Sequence, residues 1–172
     1  DDLVRRITPR TKAIVPVHML GTPAALDRIG AIARERSILL IEDSAWGCGG
    51  AFAGRPLGAH GDMATYSFDF AKTMTTGEGG MVVSQSAILG AKARAWHDHG
   101  HENNPALPRW EDSRASSGFN YRMTEMQGAV GLAQLRKLDA VVAAQRANRD
   151  ALAAAIAGLP GVTPRRVPAT SE

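Results

Sequence analysis

The sequence predicts an α/β layered fold with a mostly parallel sheet flanked by helices. Two observations carry this. Short apolar runs of strand length, "KAIVPV", "SILLIED", "ATYSF" and "GMVVS", recur along the chain. Longer segments lie among them with apolar residues at helical spacing. Strands alternating with helices in this rhythm favour parallel pairing through right-handed crossovers.

Taken in order, the run at 12–17 is β-branched and suits a strand buried on both faces. The stretch 22–36 has Pro23 near a helix start and sets Leu26, Ile29, Ile32 and Ala33 on one helical face. Strands are expected over 37–43, 64–68 and 80–84, and a helix over 86–99. From 101 to 118 the periodicity stops, and Pro105, Pro108 and the paired Asn103 and Asn104 mark an irregular loop. Thr124 opens a single long helical pattern that ends at Gly158, with Pro160 beyond it.

Composition narrows the function. At 172 residues, 44% hydrophobic and 22% charged, the chain has enough apolar content for one sizeable core. Its net charge of +3 is dispersed and aromatics are only 5%, which speaks against nucleic-acid binding. No apolar run reaches membrane-spanning length, so no membrane role is expected. The single cysteine, Cys48, excludes an internal disulfide and suits a reducing compartment such as the cytoplasm.

Parallel sheets carry their chemistry at the carboxyl ends of strands. Asp43 ends one predicted strand, and Lys72 follows the end of another, before a glycine-rich turn. Neighbouring strands would open the acid and the amine into one crevice. Plainer roles are also available: a cap for Asp43, a solvated surface lysine for Lys72, a backbone hydrogen bond for Ser67.

The block "PRTKAIVPVHMLGTPAALDRIGAIARERSILLIEDSAWGCGGAFAGRPLGAHGDMATYSFDFAKTMTTGEGGMVVS", continued by "GFNYRMTEMQGAVGLAQLRKLD", resembles the sugar aminotransferases of the DegT/DnrJ/EryC1/StrS family. These use pyridoxal 5′-phosphate on a fold-type I transferase scaffold. The resemblance implies that Lys72 carries the cofactor covalently and, once displaced, acts as the base. It implies that Asp43 faces the pyridine nitrogen and that Ser67 donates to the phosphate. Asn120 matches an asparagine that reaches the phosphate from the neighbouring subunit, which implies a homodimer with shared active sites. Glu78, Gly79 and Gly80 would shape the turn after the lysine. Trp46 stands where many relatives have glutamine or histidine, and would cover the ring's face or edge. Thr73 stands where asparagine is frequent.

The implied reaction moves an amino group from an amino acid, glutamate being the expected donor, to a keto or aldehyde sugar or nucleotide-sugar. Within the family, "DHGHENNP" and "PRWEDSRASSGFNYRM" are similar to enzymes that make 8-amino-octulosonate for lipopolysaccharide. Related sugar dehydratases replace the lysine by histidine, so Lys72 argues against that alternative; a non-catalytic, cofactor-binding regulator is the other. Relatives are longer at both ends. The chain is therefore expected to be a fragment, inactive alone. Residues 1–122 would be part of the large cofactor-binding domain, and 123–172 a long connecting helix and the start of a small domain.

Other residues carry weaker signals. His97, His99 and His101, with Asp98 and Glu102, do not match structural zinc spacing, and no metal is expected. The resemblance puts them near the active-site mouth, open to substrate contact or to solvent at a helix end. Cys48 reads as a small buried residue, and Met123, Met126, Val130 and Leu135 as core or dimer packing. Arg122 could meet substrate, a partner subunit or only water.

Overall fold

The computed structural model describes residues 2–171. Eleven α-helices and β-strands follow in order: α1 (Asp2–Arg6), β1 (Ala13–Ile14), α2 (Leu26–Glu35), β2 (Leu39–Asp43), β3 (Ala51–Phe52), β4 (Arg55–Pro56), β5 (Met63–Ser67), β6 (Gly80–Ser84), α3 (Ala87–His97), α4 (Glu125–Leu135) and α5 (Leu138–Ile156), with a short 3-10 turn at Met19–Gly21. The main sheet has the order β1-β2-β5-β6. β1 pairs with β2 and β2 with β5 in parallel, the second ladder setting Asp43 opposite Thr65.

The sheet is mostly parallel, as expected, and its exception is β6, which runs antiparallel to β5 from Met63↔Ser84 to Ser67↔Gly80. A parallel return needs a crossover, usually a helix. Residues 68–79 form none, and the chain turns back on the edge it has just left. Phe68 N donates to the Gly79 carbonyl at 2.8 Å, and Thr76 N to the Phe68 carbonyl at 2.9 Å, closing the loop that holds Lys72. Gly79 has φ +154°, and a Cβ there would lie 2.5 Å from Thr76 Oγ1, so the close packing of this turn requires glycine.

The strand expected over 12–17 is shorter than its apolar run. Pro16 has no N–H to donate, although its carbonyl accepts from Asp43 N at 2.9 Å and pairing resumes as a bridge between Val17 and Asp43. Nor is it buried on both faces: Ile14 is buried, while Val15 and Val17 are 56% and 43% exposed. Ile14, Ala33, Ile38 and Leu40 form the core between α2 and the sheet, with Ile29 and Ile32 packed against it. Leu26, the remaining member of the predicted helical face, joins Phe52 and Leu57 in a second cluster. That cluster depends on the β3–β4 hairpin, absent from the sequence reading, whose turn holds Ala53 at φ 49° and Gly54 at φ 71°. Positive φ at both turn residues matches the twist of a tight hairpin.

The single helix expected from Thr124 is two helices. Thr124 caps α4 with Gln127 in a reciprocal box, as its position suggests. At Lys137 the backbone N–H turns from its i−4 partner to the Gln134 carbonyl, at 3.0 Å, and α5 begins one residue later. Gly158, at φ +82°, follows the end of α5, as expected of a residue that ends a helix.

Glu42 organises the sheet's carboxyl end. Alternation along β2 buries Leu40 and Glu42 and leaves Ile41 and Asp43 half-buried. The Glu42 carboxylate accepts from Gly58 N (2.8 Å), His60 N (2.7 Å) and Gly61 N (2.6 Å). His18 Nδ1 accepts from Ala24 N at 3.1 Å, so its Nε2 carries the proton and donates to Glu42 at 3.0 Å. Burial pushes the Glu42 carboxyl up, but His18 and the three N–H donors together bring it down to about 2.

A folded-state value below the unfolded one stabilises the fold above the unfolded value, and the effect is lost as pH falls through the folded one. The fall from 4.5 to about 2 corresponds to about 3 kcal/mol, lost between those pH values. Glu42→Gln should therefore cost the complete protein about 3 kcal/mol at neutral pH, because an amide sets a donor against backbone donors. The gap from wild type should narrow in acid. Urea unfolding of both proteins at neutral pH and near pH 3 measures this, and a gap independent of pH would refute it.

Candidate active site

Two turns that leave adjacent parallel strands form the site. After β2, Asp43 Oδ1 accepts from Ala45 N at 3.1 Å and Gly47 N donates to the Ser44 carbonyl at 2.8 Å, which presents Trp46 at the surface. After β5, Asp69 Oδ1 accepts from Ala71 N, and the Asp69 carbonyl from Lys72 N, each at 3.1 Å. Short polar side chains that bond to backbone two residues on are what tighten such turns. The two turns meet where Lys72 Nζ lies 3.6 Å from the centroid of the Trp46 ring, a cation–π contact.

Between them lies a cleft of about 190 Å3, walled by Trp46 and Cys48 on one side and Lys72 and Thr73 on the other, with Gln145 reaching it from α5. Asp43 stands half-buried at the end of β2, three residues before Trp46. Ser67 ends β5, and its Oγ accepts from Asp69 N at 3.3 Å, which leaves its O–H free to donate. Lys72 and Trp46 are thus in contact, with Asp43 and Ser67 on the two adjoining strand ends.

Asn120 is elsewhere. It is exposed beyond α3, in a segment bridged to Asp98, and does not line the cleft. Its Oδ1 accepts from Arg122 N at 3.4 Å. Arg122 is not merely solvated, since its Nη1 donates to Asp98 at 2.5 Å. Asp98 also takes both terminal nitrogens of Arg109, at 2.8 and 2.5 Å. Arg109's hydrogen bonds hold the Asp98 carboxyl far below the usual carboxylate range; burial opposes this, and Arg122 adds to it.

Sequence reasoning missed Gln145, because nothing local predicts that α5 returns to the cleft. A Cβ on Gly49 would come 2.4 Å from Val142 Cγ2, and Arg146 donates to the Gly49 carbonyl at 3.3 Å, so α5 lies directly on the turn after β2. The reading of Cys48 as buried is corrected. It is half-buried and lines the cleft, and burial pushes its thiol pKa up. The residues named for packing on α4 are exposed: Met126 at 80%, Val130 at 44% and Leu135 at 54%.

The neighbouring histidines have separate partners. His97 Nδ1 donates to the Arg94 carbonyl, and His101 Nδ1 donates to Asp112 at 3.2 Å. Among the described residues no group of three or more His, Cys, Asp or Glu side chains could hold a metal ion. Among them, too, no helix is long and apolar enough to cross a membrane.

The family model for DegT/DnrJ/EryC1/StrS aminotransferases matches residues 1–172. A GDP-perosamine synthase of Caulobacter vibrioides is 45% identical over 139 residues, which are 81% of this chain and 36% of that protein. The sugar aminotransferase CalS13 from Micromonospora echinospora superposes with a TM-score of 0.91 at 34% identity, over 100% of this chain and 48% of its own. An E. coli GDP-4-keto-6-deoxy-D-mannose-3-dehydratase, solved with bound hydrated PLP, superposes with a TM-score of 0.86 at 28% identity, over 96% of this chain and 46% of its own. The chain spans about two fifths of the length of the curated relatives it matches.

Proposed function

Because the chain belongs to the DegT/DnrJ/EryC1/StrS aminotransferase family, we propose that the complete protein transfers an amino group from an amino acid, glutamate first, to the carbonyl of a sugar or nucleotide-sugar, using pyridoxal 5′-phosphate. The observation that carries this reading is Lys72 held on Trp46 beside the carboxyl ends of β2 and β5. The donor set fits the cofactor. It offers a primary amine for the aldehyde, a carboxylate for the ring nitrogen and a hydroxyl donor for the phosphate. When bound, pyridoxal phosphate supplies a carbonyl that takes up amino groups and a ring that draws off electrons.

Lys72 would hold the cofactor through Nζ, and the same amine is the base that would move the proton at the donor's α-carbon. Asp43 would keep a proton on the ring nitrogen. Ser67 Oγ would donate to the phosphate, and Trp46, whose ring Lys72 contacts, would cover the cofactor ring's face or edge. Gln145 of α5 lines one side of the cleft. Asn120 would serve the site of a second copy, which fits its exposure and its absence from the cleft lining, and makes the enzyme a homodimer with shared sites. We assign 1–122 to the cofactor-binding domain and 123–172 to the entry into a smaller one. The enzyme would act in the cytoplasm, in the synthesis of amino sugars for surface polysaccharide or lipopolysaccharide. The perosamine synthases among its relatives favour a nucleotide-linked sugar, whereas the resemblance of the 98–123 segment favours an octulosonate.

The test is a half-reaction. Incubated with glutamate alone, the complete protein should release one 2-oxoglutarate per site as the cofactor's absorbance changes. A protein that binds the cofactor but gives no oxo acid with glutamate, glutamine or other amino donors is a regulator rather than an aminotransferase.

A further inference from the structure

A small ionic knot lies apart from the cleft, and no residue role so far requires it. Residues 96–101 and 114–121 run antiparallel: His99 N donates to the Phe119 carbonyl (3.0 Å), Phe119 N to that of Trp96 (2.9 Å), Tyr121 N to that of His97 (2.8 Å) and Ala115 N to that of Gly100 (3.0 Å). Gly100, at φ +84°, permits the approach, because a Cβ there would lie 1.7 Å from the Ser116 carbonyl oxygen. The ring of Phe119 stacks on Tyr121, with Trp96 against both. Within this ribbon the Asp98 side chain is only 5% exposed, while its partners Arg109 and Arg122 are 49% and 41% exposed. A carboxylate so buried is tolerated because both guanidinium groups reach it.

The connection to Asn120 is direct. Asp98 Oδ1 takes the Arg122 side chain at 2.5 Å, and the backbone N–H of the same arginine donates to Asn120 Oδ1 at 3.4 Å. With the oxygen of the amide turned to its own backbone, Nδ2 is the outward end. An exposed N–H2 donor is what an anionic group on a neighbouring copy would need. Arg109 ties the middle of the 101–118 loop to the same carboxylate, so one buried acid holds both ends of the 109–122 segment that contains Asn120.

We infer that Asp98 is a positioning residue for a phosphate-binding amide: through Arg122 it orients Asn120 Nδ2 toward the phosphate of a cofactor held by a second copy of the chain. The inference rests on the reading of Asn120 given above, and adds to it the device that aims the donor. It also distinguishes Asp98 from the other acids of the loop. Asp112 bonds to His101 and to the backbone of Asn103 and Asn104, and Glu102 accepts from Ser113; neither reaches 119–122.

The experiment measures binding, not turnover. The complete protein, freed of cofactor, is titrated with pyridoxal 5′-phosphate and with pyridoxal, which lacks the phosphate. Asn120→Ala, Asp98→Asn, Asp98→Glu, Arg122→Gln and the double variant Asp98→Asn/Asn120→Ala are compared with wild type. Arg122→Gln keeps the backbone N–H and cuts only the tie to Asp98 from the exposed side, so it reports even where Asp98→Asn fails to fold. Asn120→Ala, Asp98→Asn and Arg122→Gln should each weaken the phosphorylated ligand about tenfold, the scale of one hydrogen bond to a charged group, and leave pyridoxal nearly unchanged. Asp98→Glu should recover part of the loss, and the double variant should be no weaker than Asn120→Ala. Equal weakening of both ligands by Asp98→Asn and Arg122→Gln, or losses that add in the double variant, would overturn the inference and leave Asp98 a folding residue. An Asn120→Ala protein with full preference for the phosphorylated ligand would remove the reading of Asn120, and the inference with it. Loss in Asn120→Ala with none in Asp98→Asn or Arg122→Gln would remove the Asp98 inference alone.

Discussion

Lys72→Ala is expected to reduce aminotransfer by the complete protein about a thousandfold or more, the largest effect of any single substitution. Two functions leave together. The amine that would bond the cofactor is gone, and so is the base for the proton at the donor's α-carbon; positioned acid–base groups alone are usually worth about 10²–10⁴-fold. The fold should survive, because Lys72 Nζ makes no ion pair among the described residues and its backbone N–H still closes the turn on the Asp69 carbonyl. Two measurements separate this from unfolding. Borohydride reduction of the wild-type holoenzyme, followed by peptide mapping, should find the cofactor fixed on Lys72, and the variant should show no such peptide. A small primary amine added to the variant should restore part of the rate. Cofactor fixed on Lys12, Lys92 or Lys137 would move the site to another part of the chain.

Asp43→Asn should lower the rate by about a hundredfold or more, the scale felt when one group stabilising a developing charge is removed. The substitution is nearly silent in geometry. Asp43 Oδ1 accepts from Ala45 N at 3.1 Å, and an asparagine carbonyl oxygen can accept the same bond, so the turn that presents Trp46 remains. What disappears is the negative charge that would keep the ring nitrogen protonated. The loss should therefore fall on kcat more than on KM, with thermal stability within a degree or so of wild type. A variant with a near-normal rate would make Asp43 a turn-former only.

These two residues stand differently from Glu42, one position before Asp43. In sequence the two acids look interchangeable. Alternation along β2 decides between them: Glu42 is buried against His18 and three backbone N–H groups, and Asp43 is left half-buried at the strand end beside the cleft. The acid at the carboxyl end of a parallel strand was legible as a candidate. The buried acid was not, because its partners at 18 and 58–61 are distant in sequence.

Local chemistry by itself determined much of the chain. The apolar periodicity of α2, the Thr124 cap and Gly158 beyond α5 needed no more than neighbouring residues, since propensity, capping and backbone freedom act over a few positions. The motif blocks likewise carried the family. Tertiary structure decided the rest. Antiparallel β6 followed from a loop with no helix in it, and the exposure of Val15 and Val17 from what packs on β1. The return of α5 to the cleft, which Gln145 lines together with Trp46 and Cys48, depends on Val142 and Arg146 against Gly49, residues more than ninety positions apart in sequence. The Asp98 knot is likewise tertiary, one carboxylate gathering arginines 11 and 24 positions away. Such contacts are selected by the burial of whole faces and by the need to pair buried charge, and neither acts within a window of adjacent residues.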